Sequence, residues 1–371
     1  MRLFAACAPG LEPLLAEEVL ALGATSAIVP GGIEFEGDLA QIYRANLELG
    51  LALFVLARVA TFRATKFPEL VRKIEAVDFS PWIGRNQNMG MRVRARASRL
   101  YHTGAIEERV RNGLGASLGR PPLPLAENES GPLLHVRMDA DECTLSVDTS
   151  GESLHRRGYR QATAKAPFRE DLARALIRLS GWNRKSIFAD PLTGSGTLPI
   201  EAALLARDLP PGANRRFAFM NSPNFNSTLF ETIRKQSLAR SVPHLPFSIL
   251  GSDRDPGAIR AATENATRAG VENDLRLDCA PLSTAPFQSH TKEPDGALIL
   301  NPPWGQRIGE TNDLRALYQT IGKLIRALPP RWHAAVATSD PKLAQSLGAG
   351  LTSALLTDVG GTKVRMYVRR A

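Results

Sequence analysis

The stretch Ile187–Asp208, IFADPLTGSGTLPIEAALLARD, passes through three kinds of structure in succession. An apolar run ends on an acid, Asp190, then a turn carries Gly194 and Gly196, and from Thr197 the apolar residues recur at helical spacing. Strand, glycine turn, helix is the opening unit of an open α/β sheet, with the turn at the strand's carboxyl end, where backbone N–H groups can approach a ligand. The turn lacks the third glycine of a dinucleotide fingerprint and the Gly-Lys-Ser/Thr ending of a P-loop, which disfavours nicotinamide and nucleoside triphosphates.

Downstream the alternation continues. FSILGSD, RLDCA, GALILNPP and HAAVATSD read as strands, with helices between them and a final hairpin turning on Gly360-Gly361, so a parallel sheet closes with an antiparallel strand. Asp253 ends the second strand, where an acid would accept from both hydroxyls of a ribose. Asp255, before Pro256, reads as a helix cap. Asp278 ends the third strand and is either an acceptor for an adenine amino group or a loop cap. The fourth strand stops at Asn301-Pro302-Pro303-Trp304, because two prolines fix φ and donate no backbone hydrogen bond. That loop is either a plain strand terminator or a stiff mouth carrying an amide, bare carbonyls and an indole. Four features in this order describe a nucleoside site beside a reactive loop. A Pro- and Asn-rich insertion near 208–246 interrupts the pattern, with a helix in LFETIRKQSLARS.

Upstream, RLFAACA, GLEPLLAEEVLALG, TSAIVPGGIEFEG, LAQIYRANLELG and LALFVLARVATFRA follow the ferredoxin-like order β-α-β-β-α-β, with Asp38 capping the second helix. FPELVRKIEAVDFSPWIG reads as a helix ended by Ser80-Pro81. In NMGMRVRARAS, Arg92, Arg94 and Arg96 alternate with small apolar residues, so a strand sets three guanidiniums on one face. The comb is either a solvated sheet face or a phosphate-contacting one. A hairpin turning at Asp139-Ala140-Asp141 follows, then a basic connector. The resulting segments are 1–62, 63–152, the connector 153–168, and 169–371.

Composition bounds the function. The 371 residues carry a net charge of +9 with arginine outnumbering lysine, a balance suited to a polyanion such as nucleic acid. No apolar run reaches the roughly 18 residues of a membrane span. The opening residues include acids where a signal peptide stays apolar. Cys7, Cys143 and Cys279 are far apart with no CxxC pair, which argues against a disulfide framework or a cysteine-rich zinc site and fits a cytoplasmic location with no metal required.

With these residues in view, the chain resembles the class I S-adenosyl-L-methionine-dependent methyltransferases, and more narrowly the THUMP-domain RNA methyltransferases that modify guanine N2. LHRRGYR…APFRED, DPLTGSGTLPIEAA, GSDRDPGAIRAATENATRAGV and NPPWGQRI carry the likeness, together with APGLEPLLAEEV, PGGIEFEGDL and IYRANL upstream. The resemblance implies a Rossmann-like α/β methyltransferase domain preceded by an α+β ferredoxin-like/THUMP RNA-binding region. It implies S-adenosyl-L-methionine held by Asp190, Thr193, Gly194, Gly196, Asp253 and Asp278. It also implies catalysis at Asn301, Pro302, Pro303 and Trp304, and structured RNA on Arg92, Arg94 and Arg96, with rRNA favoured over tRNA. Thr193 stands where the family usually has Cys, and Trp304 where it usually has Tyr. In such a loop Asn301 and the Pro302 carbonyl each accept an N–H of an exocyclic amine while Trp304 stacks the extruded base. An adenine-N6 methyltransferase and a catalytically inactive RNA-binding factor are the alternatives.

Overall fold

The structure is a computed structural model that describes residues 1–127, 129–161, 168–304, 311–348 and 350–369. The chain forms two compact units, one of residues 1–7, 15–154 and 215–236, the other of residues 8–14, 155–214 and 237–371.

The first unit is built on one seven-stranded sheet. Its elements are β1 (Arg2–Cys7), α1 (Glu12–Ala21), β2 (Ser26–Val29), β3 (Gly32–Glu36), α2 (Leu39–Glu48), β4 (Ala52–Arg63), α3 (Phe67–Glu75), β5 (Gly90–Arg96), α4 (Thr103–Leu118), β6 (Leu133–Asp139) and β7 (Glu142–Asp148). Leu3, Ala5 and Cys7 face the core at period two, and Asp38 accepts from Gln41 N–H to start α2, as the pattern requires. The strand order is β2-β3-β1-β4-β7-β6-β5. The segments 1–62 and 63–152 therefore share a single sheet: β4 pairs with β1 on one side and β7 on the other, and its length supplies both registers. The helix α3 ends at Glu75, ahead of Ser80-Pro81, since Phe79 turns inward to be fully buried.

The insertion also differs from its sequence reading. Residues 215–236 belong to the first unit, where Phe217, Phe219, Phe225 and Phe230 gather around Tyr43, and the Tyr43 hydroxyl accepts from Asn226 N–H at 2.9 Å. Burying such rings contributes about 1.5–3 kcal/mol apiece, enough to fix the segment there.

The second unit holds α5 (Glu170–Ser180), β8 (Ile187–Asp190), α6 (Thr197–Ala206), β9 (Ile249–Asp253), α8 (Pro256–Ala269), β10 (Leu275–Cys279), β11 (Gly296–Leu300), α9 (Thr311–Ala327), β12 (Trp332–Thr338), α10 (Pro341–Leu347), β13 (Thr352–Val359) and β14 (Thr362–Arg369). The intervening α7 (Ser227–Ala239) lies in the insertion. The sheet order is β10-β9-β8-β11-β12-β14-β13, parallel from β10 through β12, with β14 antiparallel between β12 and β13. Strand order reverses between β8 and β11, and a ligand crevice forms outside the carboxyl ends at such a point. The apolar strands β11 and β12 are buried on both faces, as parallel strands are.

Candidate active site and nucleic-acid interface

The carboxyl edge of the second sheet gathers Asp190, Asp253, Asp278 and Asn301, from four strands that are neighbours in the order β10-β9-β8-β11. Asp190 is 2% exposed and accepts Leu192 N–H at 3.1 Å. Burial pushes its carboxyl up to about 8; the Leu192 bond opposes the rise and the charge of Asp253 adds to it. Such an acid is neutral at pH 7, and a cationic ligand beside it would draw it toward its ionised form. In the following turn Gly194 has φ +51° and Gly196 φ +85°, and a Cβ on Gly196 would stand 3.0 Å from Ala262 on α8. The tight turn and the helix behind it thus both require glycine there. Thr193 N–H donates to Ser252 O at 3.0 Å, while its buried Oγ1 has no partner among the described residues.

Asp253 is half-buried. Its Oδ2 takes Gly194 N–H at 3.0 Å and its Oδ1 takes Asp255 N–H at 3.0 Å. The glycine turn and the second strand are thereby locked together, and each oxygen keeps a lone pair for a hydroxyl donor. Asp255 caps α8 through Gly257 N–H at 2.8 Å, as its place before Pro256 indicates. Asp278 accepts from Arg276 Nε at 3.1 Å, so its charge is already answered from its own strand.

Beyond β11 the loop is braced on several sides. Asn301 Oδ1 is buried and has no partner among the described residues, and no described donor reaches the Pro302 carbonyl. An orphaned acceptor costs roughly 1–3 kcal/mol, which a ligand donor would recover. The Tyr318 hydroxyl lies 3.4 Å from Pro303 O and 3.0 Å from Thr338 Oγ1. Trp304 is not a free plate: its Nε1 donates to Ala337 O at 3.2 Å, and Phe168 meets its ring edge-to-face at 6.2 Å and 87°. Sequence reading missed Phe168, Tyr318 and Ala337, since only long-range packing brings them to the loop. Gly305 and the rest of NPPWGQRI lie outside the described residues, as do Ala166 and Pro167 of APFRED.

In the first unit, Arg92, Arg94 and Arg96 point to one face of β5 and are exposed. They form one wall of a trough of about 910 Å³ whose other residues include Phe4, Phe54, Arg58, His135 and Arg137. Register sets this up, with Arg92 opposite His135, Arg94 opposite Arg137, and Ser146 of β7 between His135 and Arg58. Guanidiniums lie over aromatic rings, Arg58 at 4.9 Å from the Phe4 centroid and Arg92 at 5.9 Å from that of Phe54. Burial, with the charges of Arg92 and Arg94, holds His135 down to about 4, so it is neutral at pH 7. Arg92 and Arg94 have no carboxylate partner among the described residues, whereas Arg96 stands 3.3 Å from Asp139, which also pairs with Arg137. The comb is therefore not free of acids, as its own strand suggests; the neighbouring strand brings one to its end.

Residues 157–354 match the RMKL-like methyltransferase domain, and residues 2–56 match the RlmL ferredoxin-like domain. The chain belongs to the RMKL-like methyltransferase family. It is 35% identical over 362 residues to the ribosomal RNA large subunit methyltransferase K/L of Syntrophotalea carbinolica, covering 94% of this chain and 50% of the relative. The chain spans about half the length of the K/L relatives it matches. Among solved structures it is similar to SMU.472, a candidate methyltransferase complexed with SAH, with TM-score 0.88, 29% identity, and 100% and 98% of the two chains covered. It is also similar to a candidate N6-adenine-specific DNA methylase from Listeria monocytogenes, with TM-score 0.86, 30% identity, and 99% and 95% covered.

S-adenosyl-L-methionine is the cofactor of this methyltransferase domain, and the RMKL-like edge here fits it. The orphaned Thr193 Oγ1, the open space beside Gly194 and the buried Asp190 offer a hydroxyl, close backbone approach and an acid to a cationic ligand. Among the described residues no helix is long and apolar enough to cross a membrane, and no group of three or more His, Cys, Asp or Glu could hold a metal ion.

Proposed function

We propose that this methyltransferase modifies the exocyclic N2 of a guanosine in structured RNA, with 23S rRNA as the leading substrate. One observation carries the reading: among the described residues the buried Asn301 Oδ1 and the Pro302 carbonyl have no hydrogen-bond partner, next to a half-buried indole. An exocyclic amine has two N–H groups and needs two such acceptors. When bound, S-adenosyl-L-methionine supplies an electrophilic methyl group on a sulfonium. Asn301 and the Pro302 carbonyl accept the two N–H bonds and turn the nitrogen lone pair out of conjugation with the ring. They also stabilise the positive charge that builds on nitrogen as the N–C bond forms and the S–C bond breaks; the thioether leaves neutral and the extra proton on nitrogen is lost to water, so catalysis is positioning plus electrostatics. Trp304, held by Ala337 and Phe168, offers a face for the extruded base. Asp253 would hold the cofactor through its ribose hydroxyls, Asp190 would offer a carboxyl to its cationic part, Thr193, Gly194 and Gly196 would let it approach the turn, and Asp278 would accept from the adenine amino group once released by Arg276.

Ribosomal RNA as the substrate is supported by the K/L relatives, whose names specify the large-subunit ribosomal RNA, and by the RlmL-type ferredoxin-like region. Arg92 and Arg94 then meet RNA phosphates, and Arg96 does so at the cost of its pairing with Asp139. A second reading, adenine N6, is favoured by Trp304 and by the name of the Listeria relative. Digesting RNA methylated by the chain to nucleosides and weighing them separates the two: N2-methylguanosine supports the proposal, and N6-methyladenosine replaces it with the second reading.

A further inference from the structure

Arg160, from the basic connector, touches two parts of the active edge at once. Its Nη2 donates to the Phe168 carbonyl at 2.7 Å and to Thr197 Oγ1 at 3.0 Å, and it pairs with Glu170 at 3.2 Å. The pair is nearly dry, with side chains 11% and 4% exposed. Thr197 begins α6 directly after Gly196 of the cofactor turn. Phe168, 7% exposed, is the ring that meets Trp304 edge-to-face. One guanidinium therefore spans from the cofactor turn to the side chain that backs the indole of the catalytic loop.

We propose that Arg160 is a positioning residue for methyl transfer: it ties the Phe168 backbone to Thr197 and to Glu170, so that Phe168 holds the Trp304 ring in the orientation on which the target base stacks. The proposal rests on the reading that Trp304 stacks that base. The reasoning is geometric. Among the described residues Trp304 is restrained by a hydrogen bond at Nε1 and by a perpendicular ring, and the second is only as firm as the backbone beneath Phe168. All three contacts converge on Nη2, whose position the rigid, planar guanidinium fixes, whereas a lysine ammonium on its flexible stem keeps the charge opposite Glu170 without holding all three at once. Burial pushes the Glu170 carboxyl up to about 7 while Arg160 holds it down, so removing the cation altogether would leave a strained acid; Arg160→Lys avoids that.

The test uses the full chain with Arg160→Lys, Phe168→Leu and the double variant, each checked for cooperative thermal unfolding. Trp82, Trp182 and Trp332 are buried and Trp304 is half-buried, so acrylamide quenching, with Trp304→Phe as the blank, reports on Trp304. Arg160→Lys is expected to raise that quenching by about twofold and to lower the single-turnover methylation rate about ten- to a hundredfold, the range for a small misplacement. Calorimetric affinity for S-adenosyl-L-methionine should stay within about threefold, because the bonds that lock the turn, Gly194 N–H to Asp253 and Gly196 N–H to Thr193 O, do not involve Arg160. The double variant should be no slower than the slower single variant, since both act through one contact. Unchanged Trp304 quenching, or rate losses that multiply, overturns the proposal. If Arg160→Lys does not fold, Phe168→Leu alone must raise the quenching, and no change there overturns it equally. The quenching comparison needs no RNA, so it decides the role of Arg160 even where the substrate reading fails.

Discussion

The two seven-stranded sheets put their polar side chains to opposite uses. The second works at its edge, where buried or half-buried groups from neighbouring strand ends are locked by backbone bonds, as Asp253 is by Gly194 and Asp255, and Trp304 by Ala337. The first works on its face, where exposed guanidiniums line a trough and two of the comb arginines form no ion pair among the described residues. Chemistry needs donors and acceptors already in place; holding a polyanion needs charge, which tolerates looser geometry. Changes at the edge should therefore act on rate or cofactor affinity, and changes on the face on RNA affinity and its salt dependence.

The largest effect is expected at Asn301. Losing its acceptor costs about 3 kcal/mol of transition-state stabilisation, so Asn301→Ala should slow single-turnover methylation a hundredfold or more with RNA affinity nearly intact. Trp304→Ala would sharpen the comparison, because a stacking loss lowers affinity for the extruded base as well as rate, while Trp304→Tyr keeps a π-face and most activity. Next comes Asp253→Ala, which should weaken S-adenosyl-L-methionine binding about ten- to a hundredfold by calorimetry, with unchanged affinity disproving the ribose assignment. On the face, Arg92→Gln with Arg94→Gln should reduce the slope of log affinity against log salt by about two, and adding Arg96→Gln should change it less, because Asp139 already answers that charge. An identical slope would make the comb a solvated surface.

The smallest effect is on pH. The Asp190 carboxyl, raised to about 8 in the fold, keeps a proton that the unfolded chain loses near pH 4. Between about pH 4 and 8 the native state binds more protons than the unfolded one, so this residue's contribution makes stability fall as pH rises through that window. Asp190→Asn should flatten the fall in thermal unfolding of the protein without cofactor. A parent and variant with the same pH slope would place the carboxyl in a less buried state than the one described.

The edge was legible in the sequence for a physical reason. Strand alternation and turn residues are local signals, and in a parallel sheet they fix where each strand ends, so Asp190, Asp253, Asp278 and Asn301 could be named by position. What braces them was not legible. Ala337, Tyr318 and Phe168 reach the loop through packing between segments far apart in the chain. The face was half legible: alternation in β5 gave Arg92, Arg94 and Arg96, but the arrival of His135, Arg58, Phe54 and Asp139 depends on non-local register. The same limit hid the aromatic residues of the insertion, whose partner Tyr43 is distant in sequence.

The division between edge and face is tested most directly by the single-turnover methylation rate at RNA concentrations far above every variant's dissociation constant. There the Arg92→Gln, Arg94→Gln protein should recover the parent rate, because saturation compensates for lost grip, while Asn301→Ala should remain a hundredfold slow or more. An Asn301→Ala protein that reaches the parent rate at saturation would contradict the account, because the loop would then bind rather than aim the amine.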